Sequence, residues 1–337
     1  MNNKVISRLG SYYHAWARSH PDAAEEFSGA LEDLLSDGGV TYDRVWARVK
    51  EWSSLKAKAR KQHPDGSPQY PEPWQDIHDV VGVRVTTYHS TEIPAAITVL
   101  RDSFLVHRNV DKTTETRVSG TFGYGSHHLI LEVSEDSPEE LRAYRGMRFE
   151  VQIRTVLQHA WAEFEHDIRY KRGPEEPDPA VDRAFTLAAG LIELADQQFD
   201  LIASVQSSGA STTDDEVELS SETLPGVLAV LLGNRFPRPR SELFRWLGEI
   251  LLANGVTTVA ELRLLLDDMD IEALGRAMNY RFLPGQVRLI DDLLLRRYGD
   301  DHISRTRDSS SRATQRERQL KTRLAKMRRA HITAEKG

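Results

Sequence analysis

Three stretches of the chain alternate as strands do. In Arg148–Thr155 (RFEVQIRT), Phe149, Val151 and Ile153 share one face, and Arg148, Glu150, Gln152 and Arg154 share the other. Asp79–Thr87 (DVVGVRVTT) and His128–Val133 (HLILEV) are rich in β-formers. Around them, Ala23–Leu35, Trp52–Lys61, Thr91–Phe104, Val156–Tyr170 and Asp178–Gln206 carry helical spacing. Strands interleaved with helices predict an α/β or α+β layer fold with one central sheet. In the last helix Val181, Phe185, Ala188, Ile192, Ala195, Phe199 and Ile202 recur at alternating steps of four and three. Packing against the sheet or the N-terminal helices explains such a stripe; a seam with a second copy, making a homo-oligomer, is the alternative.

Past Gln206 the pattern changes. Ser207–Thr223 is rich in Ser, Thr and acids and reads as a polar linker. Leu224–Tyr298 reads as all-helical, with breaks at Pro237/Pro239, Asn254-Gly255 and Pro284-Gly285. Ala313–Ala330 reads as a basic helix with Leu320, Leu324 and Met327 on one side. The expected division is 1–206 mixed α and β, 207–223 linker, 224–300 helical and without a catalytic constellation, and 301–337 a basic tail.

Charge sharpens the last point. The 337 residues carry 44 Lys+Arg and 51 Asp+Glu, a net charge of −7, yet 301–337 holds eleven Lys/Arg and four acids. A tail of this sign suits a polyanion such as RNA or tRNA, or serves as a solubilising extension. The absence of cysteine excludes disulfides, thiolate zinc sites and cysteine nucleophiles, and suits a reducing cytoplasm. No apolar run approaches the roughly 20 residues of a membrane span, and MNNKVISRLGSYYHAW lacks a secretory core. The expected setting is cytoplasmic, without a membrane.

The candidate chemistry lies on the polar strand faces. Tyr124, Ser126 and His128 share a parity, so a second strand also presents hydrogen-bonding groups on one side, as a pocket floor would. Gly82 and Arg84 share a face of the third strand; the glycine leaves room for a flat ring and the guanidinium can stack on it. Asp79, at that strand's start, and Glu150 could jointly hold Mg²⁺. In RVKEWSSLKAKARK, Lys50, Ser54 and Lys58 are four apart, so a helix would set them in one row of phosphate donors; a solvated basic helix has the same composition. On Val156–Tyr170, His159, Glu163, His166 and Tyr170 form a polar side that suits a substrate better than a metal, because no further ligand is evident.

Together these segments resemble the synthetase domain of the RelA/SpoT family, which makes (p)ppGpp alarmones. Arg48 to Lys58 is similar to its basic RxKxxxSxxxK segment, and Asp79-Val80-Val81-Gly82-Val83-Arg84 to its D-x-x-G-[IV]-R strand. Gly123-Tyr124-Gly125-Ser126-His127-His128 resembles G-Y-x-S-x-H, and Glu150–Thr155 resembles E-[VI]-Q-[IV]-R-T. The resemblance covers roughly residues 20–205. It implies a nucleotidyltransferase-like mixed sheet flanked by helices, and transfer of the β,γ-pyrophosphate of ATP to GDP or GTP. Arg48 and Arg84 would then sandwich adenine; Lys50, Ser54 and Lys58 would hold phosphates. Asp79 and Glu150 would bind Mg²⁺, with Glu150 also placed to help deprotonate the acceptor. Lys112, Tyr124, Ser126, His128, Gln152 and His159 would contact the acceptor nucleotide. Fewer than fifty residues precede Arg48, too few for the hydrolase domain of the long members, so alarmone hydrolysis is not expected. Two alternatives share the motifs: a toxin-like enzyme acting on the 3′ end of tRNA, and an inactive nucleotide sensor.

Overall fold

The computed structural model describes residues 3–111, 126–172, 179–206, 215–309 and 313–333. The chain forms two compact units: Met1–Leu34 with Tyr42–Ala203, and Leu35–Thr41 with Ser204–Gly337.

The first unit is built on a five-stranded sheet of β1 (Arg44–Val49), β2 (Val81–Thr87), β3 (Leu105–Asp111), β4 (His127–Glu132) and β5 (Arg148–Thr155). Their spatial order is β1-β2-β5-β4-β3. The central pair β2 and β5 is parallel and the other neighbours are antiparallel, so the sheet is mixed. The unit's helices are α1 (Asn3–Ser19), α2 (Ala23–Asp37), α3 (Trp52–Ala59), the single turn α4 (Pro73–Asp76), α5 (Glu92–Ser103), α6 (Val156–Arg172) and α7 (Pro179–Gln206). Register explains why one sheet face is dry. Val83 of β2 pairs with Val151 of β5, which pairs with Leu129 of β4, and all three are buried. Phe27 of α2 and Phe104 after α5 meet Phe149 edge-on, at 4.8 and 5.2 Å between ring centroids. With that face sealed, the alternate positions of each strand are left for polar groups.

A smaller core beside the sheet fixes α3. Ile6, Leu9 and Tyr13 of α1 pack with Leu55 and Ala59 of α3 and with Ile77 and Val80. A side chain at Gly10 would place its Cβ 3.2 Å from the Trp52 ring, so the glycine permits the close approach of α1 to α3.

Several elements depart from the sequence reading. Strand β1 was not expected: its outward face, Arg44, Trp46 and Arg48, reads as part of the basic segment that follows. Lys50 lies in the turn between β1 and α3, so Lys50, Ser54 and Lys58 do not form one helical row. On α7 the buried positions include Ala189 and Asp196, the latter accepting a hydrogen bond from Thr155 Oγ1 at 2.8 Å. Phe199 and Ile202, expected in the packed stripe, are 40% and 53% exposed.

The second unit is helical: α8 (Leu224–Leu231), α9 (Leu243–Ala253), α10 (Val259–Leu265), α11 (Asp268–Met278), α12 (Gln286–Tyr298), α13 (Asp300–Thr306) and α14 (Ala313–Arg329). Helix α12 is buried through Leu289–Leu295, including Asp291 and Asp292. Those carboxylates are ion-paired from α14: Arg316 Nη2 lies 2.8 Å from Asp291, and Arg323 Nη1 lies 2.8 Å from Asp292. Leu320, Leu324 and Met327 of α14 enter the same core. Of the expected linker, 215–223 is described and pairs with the following segment: Leu219 N–H donates to Thr257 O, and Val259 N–H to Val217 O. Residues 207–214 lie outside the described residues. No helix among the described residues is long and apolar enough to cross a membrane.

Candidate active site

The polar sheet face assembles most of the predicted site in two cross-strand rows. One row runs Arg48 (β1), Gly82 (β2), Glu150 (β5) and Ile130 (β4). The next runs Trp46, Arg84, Gln152 and His128 on the same strands. Adjacent positions in a row are directly opposed, so their side chains rise from the same face. A cleft over these rows is lined by Trp46, Arg48, Lys50, Asp79, Arg84 and Glu150, with Gly82 in its floor.

At one end Asp79 precedes β2 and gathers two cations. Lys58 Nζ of α3 lies 2.7 Å from Asp79 Oδ2, and Lys50 Nζ lies 3.2 Å from the same oxygen. The other oxygen, Asp79 Oδ1, is buried without a hydrogen-bond partner among the described residues. Ser54 is exposed on α3, one turn before Lys58. A Cβ at Gly82 would meet nothing within 4 Å, so the cleft floor is open there.

At the centre Glu150 is held by a chain of side chains. His128 Nδ1 lies 2.9 Å from Glu150 Oε1 and Gln152 Nε2 donates to Oε2 at 3.1 Å. Because the carboxylate only accepts, His128 Nδ1 must carry a proton. Ser126 Oγ sits 2.7 Å from His128 Nε2, and Arg154 Nη2 donates to Gln152 Oε1 at 2.6 Å, which fixes the amide orientation. Burial raises the Glu150 pKa, but the His128 hydrogen bond and charge, Gln152 and Lys58 outweigh it and bring it down to about 2. Glu150 is therefore ionised at neutral pH.

At the far end both guanidiniums lie against one indole: Arg48 Cζ is 5.9 Å and Arg84 Cζ is 5.8 Å from the Trp46 ring centroid. Arg84 also donates to Glu163 Oε1 of α6 at 2.8 Å and lies 3.3 Å from His159 Nδ1. Burial, followed by the charge of Arg84, lowers the His159 pKa, so its ring is neutral at pH 7. Sequence reasoning places Glu163 on the substrate-suited side of its helix and Arg154 on the polar face of its strand, and misses Trp46. Trp46 shares the Arg48 parity on β1, a signal that becomes visible only once β1 is recognised. Lys112 and Tyr124 lie outside the described residues. Among the described residues no three His, Asp or Glu side chains converge as a ready-made metal site.

The family described as "Region found in RelA / SpoT proteins" matches residues 47–175, which contain every position of the two rows except Trp46. GTP pyrophosphokinase YwaC of Bacillus subtilis is 28% identical over 148 residues, covering 44% of this chain and 68% of that protein. GTP pyrophosphokinase YjbM of the same bacterium is 26% identical over 181 residues, covering 51% and 81%. Among solved structures, small alarmone synthetase 1 from Bacillus subtilis bound to its product pppGpp has 23% identity and a TM-score of 0.46, covering 58% of this chain and 97% of its own. A GTP pyrophosphokinase family protein from Streptococcus pneumoniae has 21% identity and a TM-score of 0.46, covering 57% and 92%. The chain thus carries a RelA/SpoT-family (p)ppGpp synthetase-like domain, related to the small alarmone synthetases.

Proposed function

We propose that the chain transfers the β,γ-pyrophosphate of ATP to the 3′-hydroxyl of GDP or GTP, giving (p)ppGpp and AMP. The observation that carries this reading is the charge gathered over one sheet face: two arginines against one indole, an ionised glutamate, and two lysines on an aspartate.

In this reading Arg48 and Arg84 hold the adenine over Gly82, and Trp46 yields the guanidinium faces to it. Lys50 and Lys58 turn from Asp79 to the phosphates, with Ser54 as a further donor. The acceptor base stacks on Tyr124, and Lys112, Ser126, His128, Gln152 and His159 position its sugar and phosphates. The residues present fit Mg²⁺, since Asp79 Oδ1 is buried and has no partner among the described residues, and this ion takes one or two carboxylates plus phosphate oxygens. Asp79 and Glu150 would hold it, and when bound it neutralises charge on the transferred phosphates.

The acceptor 3′-oxygen bonds to the β-phosphorus of ATP while the bond from that phosphorus to the α–β bridging oxygen breaks. AMP leaves with the bridging oxygen. Glu150 accepts the hydroxyl's hydrogen bond; with its pKa brought down to about 2, it takes the proton only as the new O–P bond makes that hydroxyl acidic. The test is to incubate the full chain with γ-labelled ATP and GDP, GTP or uncharged tRNA in separate reactions. Label entering a guanosine nucleotide supports the reading; label entering only tRNA, or no acceptor at all, overturns it.

A further inference from the structure

A second cavity of about 490 Å³ lies in the first unit and shares no lining residue with the cleft. Its size falls inside the roughly 300–1,000 Å³ range of small-molecule sites. One wall is aromatic: Trp16 of α1, His20 just after it, Trp74 of α4, and Tyr144 before β5. Trp16 lies 6.3 Å from Trp74 and 6.4 Å from Tyr144 between centroids, and His20 stacks on Trp16 at 5.2 Å. Flat rings set at angles to one another present faces and edges to a flat guest. No hydrogen bond within the described residues uses either indole N–H.

The rest of the lining includes charge. Arg145 and Arg148 line the cavity with one carboxylate, Glu132. That carboxylate is already bound by His107 at 2.7 Å and by Arg148 Nε at 3.1 Å. Arg148 Nη1 also lies 3.4 Å from His78 Nε2; burial and the Arg148 charge lower the His78 pKa, so this ring stays neutral and accepts. Among the described residues Arg145 pairs only with the well-exposed Glu135, at 2.8 Å, and such surface pairs exchange readily. The lining therefore has guanidinium N–H groups to offer an acid.

We propose that this cavity is a second ligand site, for a planar aromatic molecule bearing one acidic group. The aromatic wall takes the ring, and Arg145 and Arg148 take the acid. A nucleoside monophosphate and an aromatic carboxylate share this chemistry, and the experiment separates them.

The test is calorimetric titration of the full chain with guanosine 5′-monophosphate and, separately, with indole-3-acetate, independent of turnover. Guanosine and indole are the uncharged controls. Three variants locate the site. Arg84→Ala opens the cleft's stacking pair; Trp74→Leu removes part of the aromatic wall; Ala143→Tyr fills the cavity from an exposed lining position and so spares the core. The expected result is that one acidic probe binds wild type and Arg84→Ala alike, and binds both cavity variants about tenfold or more weakly. Whichever probe binds names the source. The proposal is overturned if neither acidic probe binds at millimolar concentration, or if binding is lost in Arg84→Ala and kept in Ala143→Tyr. An uncharged control that binds as tightly as its acid would also overturn it.

Discussion

Replacing Glu150 by Gln removes one charge from the centre of the cleft and almost no volume. Its effect on stability can be worked from its neighbours. Folding carries the carboxyl from 4.5 to about 2, because His128, Gln152 and Lys58 favour the anion more than burial opposes it. Since the folded pKa is the lower one, the stability it contributes is fully present above pH 4.5 and is lost as pH falls toward 2. A depression of that size corresponds to about 3 kcal/mol at pH 7, and to roughly half as much near pH 3. Gln cannot titrate, so the gap in urea-unfolding free energy between wild type and Glu150→Gln should narrow as pH falls from 6 to 3. Turnover should drop by about 10²-fold or more, the scale of losing a positioned base, with the KM for ATP little changed. A folded variant with wild-type turnover, or a stability gap independent of pH, would refute this reasoning.

Other variants separate the parts of the cleft. Arg84→Ala should raise the KM for ATP by about tenfold or more, the loss of one stacking surface, while Tyr124→Ala should do so for the acceptor; equal effects on both nucleotides in initial-rate kinetics would contradict separate sites. Gly82→Ala places a methyl where a Cβ meets no neighbour, so thermal unfolding should be unchanged or improved while ATP affinity falls; unchanged affinity would remove Gly82 from the base site. Arg316→Ala should destabilise the helical unit by about 3 kcal/mol, at the low end for a broken buried pair because Arg323 and His302 still partner Asp291. Trp246, whose ring centroid lies 4.7 Å from the Arg316 guanidinium, reports the change by fluorescence, and wild-type stability would refute the pair's importance.

The sequence pattern was legible where burial was one-sided. β5, β2 and β4 each bury one face, so Val151, Val83 and Leu129 alternate with polar residues and both the strands and their polar faces could be read. β1 and β3 are edge strands. β3 (LVHRNVD) has no buried residue, so no alternation of burial marks it. β1 alternates, but its outer Arg-Trp-Arg face merges with the basic helix after it. Contacts made by folding were harder still: Glu163 meets Arg84 across 79 positions, and nothing local announces the pair. The last segment shows a different limit. Counting eleven basic residues cannot tell which face water, and the fold buries Arg316 while leaving Arg328 and Arg329 exposed. Its apolar spacing, Leu320 to Leu324 to Met327, was the better guide, because those side chains are in the core.

The central claim is that two phosphates move together from ATP. The most direct measurement is the adenine product in a reaction of the full chain with ATP and GDP, separated by anion exchange and weighed by mass spectrometry. The account predicts AMP in equal amount to a guanosine nucleotide heavier than GDP by a pyrophosphoryl group. ADP in place of AMP, or AMP formed without that nucleotide, would contradict it.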